Sequence, residues 1–522
     1  MASTKRLTVA ILLLGSRMAP FRIIQGGMGV GVSNWQLAQA VASRGQLGVV
    51  SGTGLAPTLA RRLQMGDRGG HMRRALASFP LPKVAERIIA RYYVEGGISP
   101  TTPFAPTHRP EIQPSADALD LLVAGNFVEI FLARQSHNNP IGINYLEKIQ
   151  IPHLASIFGA MLAGVAYILM GAGIPRFIPG VLDAFAKGQP AAYRLDVDQA
   201  EGQEFSTVFN PAEFWADPCR NPGTPLPALH RPVFLAIVSS ATLAMTLARK
   251  SNGRVDGFII EGDTAGGHNA PPRGPLQLNV RGEPIYGPRD VPDLAKFREL
   301  GLPFYLAGGY GLPGKLAEAR ALGAVGVQVG TAFAFCNESG IDPVFKRRIL
   351  GMARAGTIDV FTDPLASPTG FPIKILQLEG SFSDPAVFAR RCRVCDLGYL
   401  RRHYRKADGT LDYRCPAEPV DEYVRKGGKE SETVGRKCLC NGLFTNVGFG
   451  QRRPESVGGN EPAVITVGDA ADSLAQFLRP GCDSYSADDV LQALLAAVPP
   501  ADASESMEAA SAPCLSAVAA LT

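Results

Sequence analysis

Between Phe21 and Val329, short apolar runs alternate with longer stretches in which hydrophobic positions recur at helical spacing. The runs read as strands: Phe21 to Gln25, Leu47 to Ser51, Ile141 to Tyr145, Tyr167 to Met170, Val233 to Val238, Gly257 to Glu261, Pro303 to Ala307 and Val325 to Val329. The intervening stretches predict helices over Asn34 to Arg44, Ile151 to Ala163, Ile178 to Lys187, Ser240 to Lys250, Asp290 to Glu299 and Pro313 to Leu322. Strand–helix units in this succession predict an α/β fold, a TIM (β/α)8 barrel. The runs are almost continuously apolar, as expected when helices cover one side of a strand and packed side chains fill the other. A doubly wound open sheet is the alternative, because a strand count alone does not close a barrel.

Two insertions break the alternation. The first, 66–139, carries a helical piece from Val84 to Val94, a Pro/Thr-rich loop from Ile98 to Pro114 and a helix from Ala116 to Ala133. The second, 191–230, is rich in Pro and aromatic residues and suits an irregular cap or hairpin. Insertions after barrel strands commonly build lids over the site. Beyond residue 380 the composition turns basic, Gly-containing and cysteine-bearing, and a helix-like tail follows from Ala463 to Val498. The expected organisation is therefore a leader at 1–18, a barrel at 19–380, a small C-terminal cysteine-containing extension at 381–498 and a flexible Ala/Ser-rich tail at 499–522.

In the leader, Lys5 and Arg6 precede an apolar run from Leu7 to Leu14 that imitates a secretory signal. No small-residue cleavage site follows, and the run is too short to span a bilayer. Met18 stands directly before PFRIIQGGMG, so the leader reads as non-essential and the protein as cytoplasmic. The apolar stretch from Ile151 to Gly171 contains Pro152, His153 and Ser156, which suit a buried helix and strand better than a membrane span. Charged residues make up 19% and hydrophobic ones 46%, a globular balance. The net charge of +5 is small for 522 residues and gathers in no long basic block, which argues against nucleic acid as a partner. Nine cysteines, an odd number, argue against a secreted disulfide framework.

The candidate chemistry lies at strand ends. DGFIIEGDTAGGH, Asp256 to His268, runs a buried strand into a loop that presents a titratable ring. Gly266 and Gly267 let the backbone approach a flat ligand closely. After the first strand, QGGMGVGVS places Gly27 and Met28 in a glycine-rich turn, with Ser33 or Asn34 able to cap the next helix. Gly308 and Gly309 end the seventh strand ahead of Pro313, which suits a first helical position. Gln328, Gly330 and Thr331 end the eighth. Loops after strands seven and eight commonly hold a phosphate through backbone amides.

QGGMGVGVS, IGINY, EGDTAGGH, LAGGYG and GVQVGTAF, in this order, resemble the FMN-dependent nitronate monooxygenase (2-nitropropane dioxygenase) family over about residues 20 to 375. The FMN-dependent enoyl-ACP reductases share the barrel and much of the motif set. The resemblance implies FMN as cofactor, with Gly27 and Met28 beside its ring and Asn144 hydrogen-bonded to it. It implies Gly308, Gly309, Gly330 and Thr331 at the phosphate, with Gln328 nearby, and His268 as the base. The implied substrates are an alkyl nitronate, or a nitroalkane, and O2, giving a carbonyl compound and nitrite. Asp263-Thr264 replaces a frequent Glu-Ala pair, and Asn269-Ala270 follows the histidine, departures that bear on substrate more than on flavin.

Two alternatives accompany this reading. An enoyl-thioester reductase would use NAD(P)H, with the first insertion as a groove for an acyl chain or an acidic carrier protein. In the other, Cys392, Cys395, Cys415, Cys438 and Cys440 make a zinc-bearing docking module on a flavin scaffold; the C-x-x-C spacing favours metal, but the rest copies no standard ribbon. Buried or loosely reactive thiols are the simpler account. No membrane partner is expected, and a homodimer is the candidate assembly. Tyr145 and Lys148 follow Asn144 closely and read as structural, and the Ser51 to Gly54 turn is a candidate pocket wall.

Overall fold

The computed structural model describes residues 21–221, 223–457 and 459–496. The leader and the tail at 499–522 lie outside the described residues. Eight parallel strands form one sheet: β1 (Ile23–Gln25), β2 (Gly48–Ser51), β3 (Ile141–Leu146), β4 (Tyr167–Gly171), β5 (Val233–Val238), β6 (Gly257–Glu261), β7 (Phe304–Ala307) and β8 (Gly326–Val329). Each pairs with its sequence neighbours, and β8 pairs with β1, as in Ile24 opposite Gln328. The last gap closes through a bridge between Ile24 and Leu47, where Gln25 N–H donates to Leu47 O at 2.9 Å and Leu47 N–H to Ile23 O at 3.1 Å. The sheet is therefore a closed barrel, and the open-sheet alternative is excluded.

Strand alternation divides the core in two. Ile24, Val49, Tyr167, Leu169, Leu235, Ile259 and Tyr305 point inward and pack as one cluster. Ile23, Val50, Ile168, Phe234, Phe258, Leu306 and Val327 point outward into a larger cluster with the helices. Burial on both faces accounts for the continuous apolar runs. Helix starts carry side-chain caps where the sequence offers them: Asn34 accepts from Leu37 N–H, Ser240 from Leu243 N–H and Asp342 from Val344 N–H. Pro313 does not open a helix; the chain turns through Gly314 at φ +84°, and the helix runs Lys315–Ala321.

The first insertion holds the helices His71–Ala77, Pro82–Tyr92 and Ala116–Ala133. The second is a hairpin, Ala191–Leu195 against Phe205–Phe209, followed by the helix Pro211–Ala216. After the barrel, Val360–Asp363 and Ile373–Leu376 pair antiparallel, and the short strand Gly267–His268 joins them. These strands were not legible as an extension of the barrel pattern, since they belong to a separate small sheet at its mouth. The later segment contributes the hairpin Arg402–Arg405/Leu411–Arg414, the helix Leu439–Asn446, the 3-10 segment Asp469–Phe477 and the helix Ala487–Ala496. Among the described residues, no helix is long and apolar enough to cross a membrane.

Candidate functional site

At the C-terminal ends of the strands the inward layer changes from apolar to polar. Asn144, Glu261 and Gln328 take the inward positions there, two residues beyond Gly142, Ile259 and on the register of Ile24. A barrel interior normally continues in branched apolar side chains, so a polar layer needs partners. Asn144 Oδ1 and Gln328 Oε1 are buried and have none among the described residues. They form the floor of a cavity of about 240 Å³.

The first glycine turn makes one wall, and its shape has a local cause. Ser33 Oγ donates to Gly26 O at 2.8 Å and accepts from Met28 N–H at 2.9 Å, folding the turn back on itself. Gln25, fully buried, braces it by donating from Nε2 to Ser33 Oγ at 2.8 Å and accepting from Val49 N–H at 3.1 Å. Gly27 then lies so close to β3 that a Cβ would stand 2.3 Å from Asn144 Cβ. Thr53 and Gly54, from the turn after β2, also line the cavity.

His268 occupies the opposite wall. Gly267–His268 is held antiparallel to Ile373 and Lys374, so the histidine sits on a short strand where a free loop was expected. Its Nε2 lies 2.6 Å from Ser367 Oγ, which lies 2.8 Å from Thr369 Oγ1, which accepts from Lys148 Nζ at 3.4 Å. Nδ1 has no protein partner among the described residues and is the ring atom left for a ligand. Burial, with Lys148 adding to it, holds the imidazole well below its ordinary range. The unperturbed imidazole value near 6.5 therefore does not apply, and His268 is neutral throughout the neutral range. Burial lowers Lys148 to about 8, opposed first by Glu147 and then by Glu261, and raises Glu261 to about 7, opposed by Lys148.

A second pocket of about 80 Å³ adjoins the first and shares Glu261, Gly266, Gln328 and Thr331 with it. Gly308, Gly309 and Gly330 line it. Gly308 and Gly309 adopt φ +87° and +73°, and a Cβ on Gly308 would meet Thr264 Oγ1 at 3.0 Å and backbone nitrogens of Ala265 and Gly262 at 3.2 Å. Left-handed glycines without a Cβ keep this turn open beside the pocket. All ten residues expected to hold a cofactor line one or both of these pockets.

The extension supplies what the sequence reading lacked. Tyr399, Leu400, Leu439, Cys440, Leu443 and Phe444 roof the first pocket, with Ile465 to Val467 beside them. Gly468, Leu474 and Phe477 cover the second. Gly468 N–H donates to Thr331 Oγ1 at 3.0 Å, and Asp469 N–H to Thr264 O at 3.1 Å, tying roof to barrel. Ser367, Thr369 and the roof lie beyond the strand–helix alternation, where no periodic signal marks them. Lys148, read as structural, is part of the histidine chain, whereas Tyr145 is structural: its hydroxyl donates to Asn126 Oδ1 at 2.9 Å.

Cys395, Cys415, Cys438 and Cys440 border a cavity of about 10 Å³ behind the roof, and Cys392 is exposed outside it. A hydrogen bond from Cys440 lowers the Cys438 thiol, while burial raises Cys415. Among the described residues, no group of three or more His, Cys, Asp or Glu is arranged to hold a metal ion.

Fold and site together define a TIM-barrel protein with a two-part chamber at the C-terminal mouth, one part floored by Asn144 and Gln328 and the other lined by Gly308, Gly309 and Gly330. Within that class, residues 216–363 match the family model described as nitronate monooxygenase, so this segment is similar to that family. A nitronate monooxygenase of Paraburkholderia phytofirmans is 34% identical over 123 residues, which is 24% of this chain and 32% of that protein. A probable nitronate monooxygenase of Bacillus subtilis is 35% identical over 122 residues, 23% of this chain and 33% of its own. The matches thus span about a third of these curated relatives. Among solved structures, FabK from Thermotoga maritima aligns with a TM-score of 0.43 at 16% identity, covering 94% of this chain and 96% of that one. A nitroalkane oxidase from Streptomyces ansochromogenes aligns with a TM-score of 0.43 at 16% identity, covering 94% and 98%.

Proposed function

We propose that this protein is an FMN-dependent oxidoreductase that oxidises alkyl nitronates, and nitroalkanes after deprotonation, with O2 to a carbonyl compound and nitrite. The observation that carries the reading is the chamber itself. Buried Asn144 Oδ1 and Gln328 Oε1 lack partners on its floor, a glycine cradle for an anion adjoins it, and His268 stands on its wall. The residues fit the cofactor: Asn144 and Gln328 would meet polar ring atoms, and Gly308, Gly309, Gly330 and Thr331 would hold the phosphate. When bound, FMN supplies the electron-accepting chemistry that a nitronate carbon requires.

The protein's own share follows from the geometry. The roof covers the chamber with the apolar side chains of Leu400, Leu439, Leu443 and Phe444. Neutral His268 accepts the α-proton of a nitroalkane at Nδ1, and its Nε2 stays anchored to Ser367. A depressed pKa keeps the acceptor form fully populated at neutral pH while making it a weaker base. The positive end of Lys148 opposes a second positive charge on the imidazolium, which favours prompt release of the proton.

The test is anaerobic mixing of the flavin-loaded protein with ethyl nitronate, nitroethane and NAD(P)H in separate series, following flavin absorbance. Rapid bleaching by nitronate and none by nicotinamide is expected. Bleaching by NAD(P)H alone would transfer the site to the enoyl-thioester reductase reading. His268→Ala is expected to keep FMN and nitronate oxidation but to lower kcat/KM for nitroethane by about 10²- to 10⁴-fold. Equal loss on both substrates would refute the base role.

A further inference from the structure

Three parts of the chain outside the barrel converge on one side chain. Tyr399, from the extension, borders the main chamber and two further cavities. The nearer, of about 10 Å³, shares Thr53, Gly54, Leu146 and Ile149 with the chamber. The farther, of about 40 Å³, shares Leu122 with the nearer one. Its walls come from Leu119 and Leu122 of the first insertion and from Val208 and Phe209 of the second, with Ile151 and Leu154 from the barrel. Val208 is 67% exposed, so this cavity reaches the surface.

The outer wall is built rather than incidental. The loop of the first insertion is fastened to the extension by Arg401 Nη2 donating to Pro110 O at 2.8 Å and Ile112 N–H donating to Tyr413 Oη at 2.7 Å. Phe104 and Gln451 exchange a reciprocal pair, at 2.8 and 3.1 Å. His153 Nδ1 and Thr207 Oγ1 are the buried unpartnered polar side-chain atoms of residues bordering this track, and the exposed His108, Arg109 and Glu111 also border the outer cavity.

We propose that the substrate carries a linear alkyl tail, which extends from the chamber past Tyr399 into the outer cavity; this rests on the nitronate reading for the head group. The narrow middle is about the size of one water-sized sphere, which suits the cross-section of a methylene chain and not a ring. Tyr399 is the gate: its hydroxyl makes no hydrogen bond among the described residues, and its ring packs against Ile149 and Phe444. The two insertions and the extension thereby acquire a common role as a chain-length selector.

The experiment is calorimetric titration of the flavin-loaded full chain with straight-chain carboxylates from propionate to tetradecanoate, whose planar anionic head imitates a nitronate. Affinity is expected to rise about fourfold per methylene as the tail passes Tyr399. Leu122→Trp, which fills the junction, is expected to weaken the longest chains at least tenfold and leave propionate within twofold. Val208→Glu, a surface change that spares folding, is expected to weaken only the chains that reach the mouth. A flat profile beyond short chains in the unmodified protein, or an unchanged long-chain slope in both variants, overturns the proposal. A parallel series of alkyl nitronates separates the two claims. Chain-dependent binding without nitronate turnover refutes the reaction and keeps the passage, whereas turnover with no chain dependence refutes the passage alone.

Discussion

Replacing Gly27 by alanine tests the chamber most directly. The added Cβ would stand 2.3 Å from Asn144 Cβ and 3.1 Å from Val49 Cγ1. Carbon atoms at rest keep about 3.5 to 4.0 Å, so the overlap with Asn144 is about 1.2 Å or more. Asn144 has little room to retreat, because β3 is hydrogen-bonded on both sides, with Asn144 opposite Ser51 and Leu169. The glycine turn must instead lift into the chamber, into the space a ring system would occupy. Overpacking of this kind costs about 1 to 3 kcal/mol. Charged to the bound state, that corresponds to a rise of roughly 5- to 150-fold in the FMN dissociation constant. The assay is titration of apoprotein with FMN by fluorescence quenching, with thermal melts of both forms. Gly180→Ala is the control: its Cβ would also stand 2.3 Å from a neighbour, Asn252 Nδ2, but on the outer helix Ile178–Ala186. Both substitutions are expected to lower Tm, and only Gly27→Ala to weaken FMN. An FMN affinity within twofold of the unmodified protein, with a lowered Tm, would show that Gly27 packs the barrel without bordering the cofactor.

Further outcomes follow from the same geometry. Glu461, 1% exposed in its side chain, bridges Arg391 at 2.6 Å and Arg453 at 2.9 Å. Glu461→Gln leaves the buried Arg391 guanidinium without a carboxylate, while Arg453 keeps Asp396 at 2.8 Å, and is expected to cost about 3 to 5 kcal/mol in chemical denaturation; a change below 1 kcal/mol would mean that water reaches the pair. With His268 held low, the acid limb of kcat/KM for nitroethane is expected below pH 6.5, since activity falls only where the ring gains its proton. Lys148→Met removes the charge that depresses it, so the limb should move to higher pH; a shift to lower pH would contradict the electrostatic account. In the native protein, timed alkylation followed by mass spectrometry should modify Cys219, Cys392 and Cys482 rapidly and Cys336, Cys415 and Cys438 slowly, in line with their exposure.

The barrel was legible because burial on both faces writes strands as unbroken apolar runs. Val233–Val238 and Gly257–Glu261 match the sequence expectation residue for residue. The glycine turns were legible for a related reason, since backbone that must pass close to a neighbour tolerates no side chain. What escaped was whatever depends on chain folded back from afar. Ser367 becomes the partner of His268 across 99 residues, and nothing in its neighbourhood of Pro368 and Thr369 announces that contact. The depressed pKa of His268 was illegible for the same reason, because the small sheet around Ile373 buries the ring and the charge of Lys148 adds to the effect. The cysteines drew attention as a spacing pattern, yet the neighbouring Leu439, Leu443 and Phe444 line the chamber roof, and an ordinary amphipathic helix carries no mark of that duty.

The roof has a consequence for how the protein is made. The strands that form the floor and the glycine cradle end at Val329, whereas the segment that covers the cradle begins at Gly468. A ribosome adding about 5 to 20 residues per second leaves an interval of roughly seven to thirty seconds between the two. During that time the barrel mouth stands open on the nascent chain. A ligand bound before that segment arrives is afterwards covered by it, so the roof is laid over a site whose floor and cradle the barrel alone already forms.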